Sequence, residues 1–223
     1  MCGRFTLITP AQVLAEQFEL VEMPALSPRY NVAPSQLVAA VRQPPGNKER
    51  ELAMLRWGLV PFWAKDPAIG SRMINARSET VAEKPSFRAA FRQRRCLVLA
   101  DGFYEWQRLE RGKQPFYIRL RDKGPFAFAG LWEHWEGADG TLIDSCTVLT
   151  TEPNELVRLL HNRMPVILAP EDYGRWLDPA LQKVDLLQPL LRPYPSEGMQ
   201  AYPVDTWVNN PRNDDLQCIE PLA

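Results

Sequence analysis

The chain has 223 residues, 45% of them hydrophobic and 24% charged, with a formal net charge of −1. That length suits one domain with a sizeable core, and the composition is ordinary for a soluble globular protein. No apolar run approaches the roughly 18 residues a membrane helix needs, and residues 1–6 lack the charged and apolar regions of a secretory leader, so the expected compartment is the cytoplasm. The charge is unevenly spread: residues 1–100 carry 14 Lys and Arg against 8 Asp and Glu, and residues 101–223 carry 12 against 19. Such asymmetry allows a basic face on a neutral protein. The four cysteines, Cys2, Cys96, Cys146 and Cys218, include no Cys-x-x-Cys pair, which argues against a zinc site or a disulfide framework. No metal is expected.

In chain order, Thr9, Pro10 and Gln12 read as a helix start, with Thr9 as the N-cap and Pro10 at the first helical position. Val13, Leu14, Phe18 and Leu20 give that helix one apolar face. Residues 37–42 and 52–57 read as strands around a Pro-Pro-Gly-Asn turn at 44–47. β-Branched and aromatic runs at 96–100, 103–109, 116–120, 126–135 and 146–151 make the middle strand-rich. Helical spacing follows over 152–160 and ends at His161; 163–169 resumes as a strand, with short helices near 171–177 and 185–191. Many strands with few helices predict an α+β fold: a single domain over 1–223 on a curved, barrel-like, mainly antiparallel sheet with peripheral helices. The pattern does not give the strand order.

Cys2 stands apart from the other cysteines by position. Methionine removal is favoured before a small residue, and it would leave Cys2 with an α-amine and a thiol on adjacent carbons. An α-amine has a pKa of about 7.7–8.0 against about 10.4 for lysine, so far more of it is neutral and nucleophilic at neutral pH. It can form a Schiff base with an aldehyde, and the thiol can then close a five-membered thiazolidine by proximity. An inert cysteine that merely follows Met1 is the plainer alternative.

Other candidates are weaker one by one. His161, in Leu-His-Asn-Arg-Met-Pro, is expected at a helix C-terminus, where its protonated form is favoured. Glu105, in Asp-Gly-Phe-Tyr-Glu-Trp, shares a strand face with Phe103 and Gln107, where desolvation would raise its pKa and suit it to acid–base work; a solvent-facing glutamate fits the local sequence equally. Asn75 can donate and accept hydrogen bonds, and Arg77 can hold a phosphate, although both also suit a helix cap and a surface charge. Trp57, Trp63 and Trp106 offer faces for base stacking, or belong to the core.

Together the segments are specific. Met-Cys-Gly-Arg-Phe at the start, Tyr-Asn-Val-Ala-Pro (30–34), Trp-Gly-Leu-Val-Pro-Phe-Trp-Ala-Lys (57–65), Ile-Asn-Ala-Arg-Ser-Glu-Thr (74–80), Asp-Gly-Phe-Tyr-Glu-Trp (101–106), Leu-Thr-Thr (149–151) and His-Asn-Arg-Met-Pro (161–165) occur in order. The chain resembles the SOS-response-associated peptidase (SRAP) family, the abasic-site processing proteins, over nearly its whole length. The resemblance implies that Cys2, once exposed, forms a thiazolidine crosslink with the ring-opened sugar of an abasic site in single-stranded DNA and shields it from cleavage. It also implies that Asn75 orients the sugar, that Glu105 assists ring opening and proton transfer, and that His161 serves in the Schiff-base steps and in reversal. Arg77 and Arg163 match residues that grip flanking phosphates. Arg4, Asn31, Pro34, Trp63, Trp106 and Thr150 match the lining of the DNA channel. Autoproteolytic release of Met1 and a lyase side activity are further implications. A monomer with no cofactor, no metal and no membrane partner is expected. Two other readings stay open at this point: an N-terminal nucleophile glutamine amidotransferase, which also begins Met-Cys-Gly, and a noncovalent single-strand binding module.

Overall fold

The computed structural model describes residues 2–22, 26–44, 46 and 49–222. In chain order its elements are β1 (Phe5–Leu7), α1 (Ala11–Phe18), β2 (Arg29–Val32), β3 (Leu37–Arg42), β4 (Glu51–Trp57), β5 (Asn75–Arg77), α2 (Arg88–Gln93), β6 (Arg95–Ala100) and β7 (Gly102–Arg108). They continue with β8 (Lys113–Leu120), β9 (Phe126–Glu136), β10 (Leu142–Thr151), α3 (Glu155–Arg158), β11 (Met164–Pro165), β12 (Ile167–Leu168), α4 (Tyr173–Leu177), α5 (Val184–Leu187) and β13 (Met199–Pro203). Among the described residues no helix is long and apolar enough to cross a membrane.

Strands β4, β3, β6, β9 and β10 pair in that order, and β10 returns to β4, closing a five-stranded barrel. Four of the five pairings are antiparallel and the closing one, β10 with β4, is parallel. An odd number of strands cannot alternate direction all the way round a ring, so one parallel junction is unavoidable. A second sheet, all antiparallel, runs β13-β8-β7-β1-β2. The α+β, barrel-like expectation holds.

Strand periodicity divides the apolar residues between two cores. Leu97 and Leu99 of β6 pack with Leu14 and Phe18 of α1, Phe91 of α2 and Trp176 of α4. Cys96, Val98 and Ala100 face the other way, toward Phe5, Phe103 and Ile118 of the second sheet. Arg95, 2% exposed, pins α2 and α4 to the barrel by donating to the backbone carbonyls of Phe91, Arg92, Trp176, Asp178 and Leu181.

The parallel junction also creates the gap that the site uses. β10 pairs with β4 only at Ser145 and Cys146; from Val148 to Thr150 its partner is β5. Between those contacts the chain makes the excursion 58–74. Gly58 (φ +131°) and Gly70 lie backbone to backbone there: a Cβ on Gly58 would come within 2.6 Å of the Gly70 carbonyl oxygen. Only two glycines allow that approach, which returns the chain to deliver Asn75.

Several expected elements differ. Thr9 does not cap α1: Pro10 occupies the cap position, and the Thr9 hydroxyl donates to Asp101 instead. The 152–160 helix shrinks to α3, capped by Asn154, whose side chain accepts from the Val157 N–H at 2.9 Å. The 163–169 strand splits at Val166, which crosses from β10 to β9, its N–H donating to Leu149 and its carbonyl accepting from Ala129. The expected turn at 44–47 lies partly outside the described residues.

Candidate active site

The N-terminal segment runs straight into β1, which pairs with β7, and the Tyr104 N–H donates to the Arg4 carbonyl at 3.0 Å. This pairing sets Cys2 near Glu105. Cys2 is fully buried, and its carbonyl accepts from Asn75 Nδ2 at 2.8 Å. The other side-chain atom of Asn75, Oδ1, is buried without a hydrogen-bond partner among the described residues, so one acceptor remains for a bound group.

Burial, reinforced by the charge of Glu105, pushes the Cys2 thiol well above its ordinary value; the N-terminal ammonium and a backbone contact with Arg4 recover only part of this. The thiol is therefore protonated at neutral pH and is not a ready thiolate nucleophile. Glu105 is 2% exposed, so it is not the solvent-facing glutamate that its local sequence also allowed. Strand alternation in β7 operates as expected: Phe103 joins the core shared with the barrel, while Tyr104 and Trp106 pack on the opposite side. Burial raises the Glu105 carboxyl from 4.5 to about 7, against opposing contributions from the N-terminal ammonium and the Trp106 backbone. A carboxyl poised there exchanges protons in both directions at neutral pH.

His161 follows α3, and its Nδ1 faces the Arg163 backbone, 3.0 Å from the N–H and 3.3 Å from the carbonyl oxygen. The surroundings disfavour the protonated form that a helix C-terminus alone would favour. Burial lowers its pKa first, then the N-terminal ammonium, with Arg108 and Lys113 adding to the effect against the Arg163 backbone contact. The helix before it has four residues, too short a dipole to oppose those cations. Glu105 and His161 line one cleft of about 910 Å³ with Trp106, Arg108, Lys113 and Arg158.

The channel candidates divide. Arg77 is exposed, as is Trp63 at 48%, and Pro34 is half-buried. Trp106 lines the cleft, its Nε1 fixed on Asn209 Oδ1 at 2.7 Å, with the Arg4 guanidinium 5.8 Å from its ring. Arg4 is half-buried and donates to Asn31 Oδ1 at 2.7 Å and to the Val208 carbonyl at 2.9 Å. Asn31 and Thr150 are both fully buried. Asn31 Nδ2 donates to the carbonyls of Val208, Asn210 and Asn213, and its Oδ1 accepts from Arg4, so it holds Arg4 in place. Thr150 Oγ1 points to the Ala76 carbonyl. Arg163 is tied to both carboxylate oxygens of Glu79 and to the Thr150 carbonyl, so its guanidinium is already engaged. Trp57 is core: 1% exposed, packed on Phe5, with Nε1 on the Ile74 carbonyl at 2.8 Å.

Arg108, Lys113 and Arg158 also line the cleft, and none of the motifs includes them. The available signal was adjacency: Arg108 follows Glu105 by three residues and Arg158 precedes His161 by three. Among the described residues no three His, Cys, Asp or Glu side chains gather as metal ligands.

The family model described as SOS response associated peptidase (SRAP) matches residues 1–211. The chain is 47% identical over 224 residues to the "Abasic site processing protein YoqW" of Bacillus subtilis, covering 99% of both chains. It is 36% identical over 199 residues to the "Abasic site processing protein HMCES" of Xenopus tropicalis, covering 79% of this chain and 59% of that relative. A crystal structure of a protein from Bacteroides thetaiotaomicron superposes with a TM-score of 0.88 at 28% identity over the whole of both chains. With a buried N-terminal cysteine, an asparagine on its carbonyl and a carboxyl poised near neutrality brought together from distant segments, and with matches of this extent, the chain belongs to the SOS response associated peptidase (SRAP) family.

Proposed function

We propose that this protein processes abasic sites in single-stranded DNA by covalent capture through Cys2 once Met1 has been removed. The observation that carries the reading is the meeting of Cys2, Asn75 and Glu105: a hydrogen bond joins Asn75 to Cys2, and a carboxyl raised to about 7 lies within electrostatic reach of both the thiol and the chain's amino end.

The chemistry balances without an oxidant. The amine adds to the C1 aldehyde of the ring-opened sugar, and loss of water from the carbinolamine gives an imine. That loss requires a proton on the departing hydroxyl, which Glu105 in its acid form supplies. Water leaves behind a protonated imine, and the Glu105 carboxylate then accepts the proton of the Cys2 S–H as sulfur bonds to the imine carbon, so the nitrogen keeps its one hydrogen in the closed ring and Glu105 returns to its acid form. One water leaves overall. Asn75 Oδ1 supplies the acceptor that holds a sugar hydroxyl, and neutral His161 serves in the imine steps and in reversal. Strand cleavage by β-elimination departs from the same imine, so ring closure suppresses the lyase branch. Release of Met1, autoproteolytic in the reading that the family name supports, precedes all of this.

A Cys2→Ser variant tests the division between amine and thiol. It retains the amine and should yield a borohydride-reducible, hydrolysable adduct, whereas the unaltered protein yields one that survives heating. An equal yield of heat-stable adduct from Cys2→Ser would remove the thiazolidine step. Ammonia release from glutamine would support the amidotransferase reading, and abasic DNA binding with no trappable adduct would support the noncovalent one.

A further inference from the structure

Of the cations that the motifs singled out, Arg77 is exposed, whereas two others are already engaged. Arg163 is held by Glu79, and Arg4 by Asn31 and the Val208 carbonyl. Three others, Arg108 at the end of β7, Lys113 at the start of β8 and Arg158 at the end of α3, are exposed along the cleft that Glu105 and His161 line. Arg108 and Lys113 are cross-strand partners, so their side chains share one face of the hairpin. Among the described residues none of the three forms an ion pair. Like charges along one cleft repel, and a polyanion relieves that repulsion. Both hairpin cations also help to lower the His161 pKa, so their field reaches the reaction centre. On the far flank of Arg158, Glu152, Glu155 and Glu197 border a separate hollow of about 460 Å³ that repels phosphate and so bounds the basic surface.

We propose that Arg108, Lys113 and Arg158 form a phosphate-binding wall for the strand on one side of the lesion, separate from the contact offered by Arg77. The inference rests on the function proposed above. Arg77 does not line this cleft, so the two groups hold different stretches of the strand. The wall acts on backbone phosphates and carries no base preference.

The test uses the full chain and a triple variant, Arg108→Glu/Lys113→Glu/Arg158→Glu, with a triple Gln variant should the first fail to fold. Binding is measured against salt on single strands carrying a stable tetrahydrofuran abasic analogue at the centre, at the 5′ end or at the 3′ end. Each phosphate contact contributes about 0.7 to the log–log slope, so the central strand should lose about 2 in slope. Over a fourfold rise in salt, the variant's binding should weaken roughly fifteen-fold less than that of the unaltered protein. The loss should fall on only one of the two end-labelled strands, while Arg77→Glu retains the slope on that strand. An unchanged slope, or a loss shared equally by both arms, overturns the wall. Parallel incubation with true abasic strands keeps the two readings apart: an unaltered protein that forms no adduct defeats the proposed function, whatever the slopes show.

Discussion

At the residue scale, Glu105 makes the sharpest demands. Its folded carboxyl titrates near 7 against 4.5 for a free side chain, because burial disfavours the charge. The folded state thus keeps a proton that the unfolded chain releases, and stability falls as pH rises from about 4.5 to about 7. Glu105→Gln cannot ionise, so it should stabilise the protein by about 1–3 kcal/mol near pH 8 and have little effect near pH 4. Denaturant melts at the two pH values measure this, and an equal shift at both would show that the carboxyl is not displaced. The same substitution should slow crosslinking with DNA affinity retained, because only the proton exchange is lost. The rate profile of the unaltered protein should peak between about 7 and 8, where acid-form Glu105 and a neutral α-amine coexist. Asn31→Ala removes three acceptors' donor and the partner of Arg4 at a site of no exposure. It should cost about 1–3 kcal/mol. It should also weaken DNA binding through a displaced Arg4, with both effects read in one preparation by thermal melting and strand titration.

At the scale of elements, the long strands and the turn glycines follow from residue pattern, whereas the short strands do not. Runs such as Cys96–Leu99 and Phe126–Phe128 alternate between two cores, and their apolar character alone marks them. β1, β5 and β11 have two or three residues each, too few for any periodicity, and exist because β7 and β10 supply their hydrogen bonds. α3 ends early because the Leu160 and His161 N–H groups both turn back to the Val157 carbonyl, and Gln107 Nε2 takes the Leu159 carbonyl at 3.3 Å. That tie from β7 fixes His161 opposite Glu105 across the cleft, a relation between distant segments that helical spacing does not contain. The excursion 58–74 yields the element-scale prediction. Gly58→Ala adds a Cβ 2.6 Å from the Gly70 carbonyl oxygen at a φ of +131°. It should destabilise by about 2 kcal/mol or more. It should also slow crosslinking by displacing Asn75, with activity restored least by conditions that restore only stability.

At the scale of the molecule, the barrel's single parallel junction opens the gap for β5, and the second sheet carries Cys2 to it. Cys2, Asn75, Glu105 and His161 were each readable as residues of the right chemical type, and their order along the chain pointed to the family. Their convergence was not readable, because it depends on strand order. The proposed basic wall is invisible in the charge distribution along the chain, because Arg108, Lys113 and Arg158 lie in its acidic half. Burial of Asn31 and Thr150 was equally hidden, since polar residues in strands usually face water.

Covalent capture as proposed requires a free amine at Cys2. While Met1 or a tag is attached, that nitrogen is an amide whose lone pair is delocalised into the carbonyl, and it cannot form an imine. The direct measurement is intact-mass spectrometry after incubation with abasic single-stranded DNA, on protein with Cys2 exposed and on protein with an uncleaved N-terminal tag. The exposed protein should gain the mass of the strand less one water. That adduct should survive heating and take up no hydrogen from borohydride, whereas the tagged protein should bind the DNA and gain nothing. A heat-stable adduct on protein whose tag is shown intact would contradict the account.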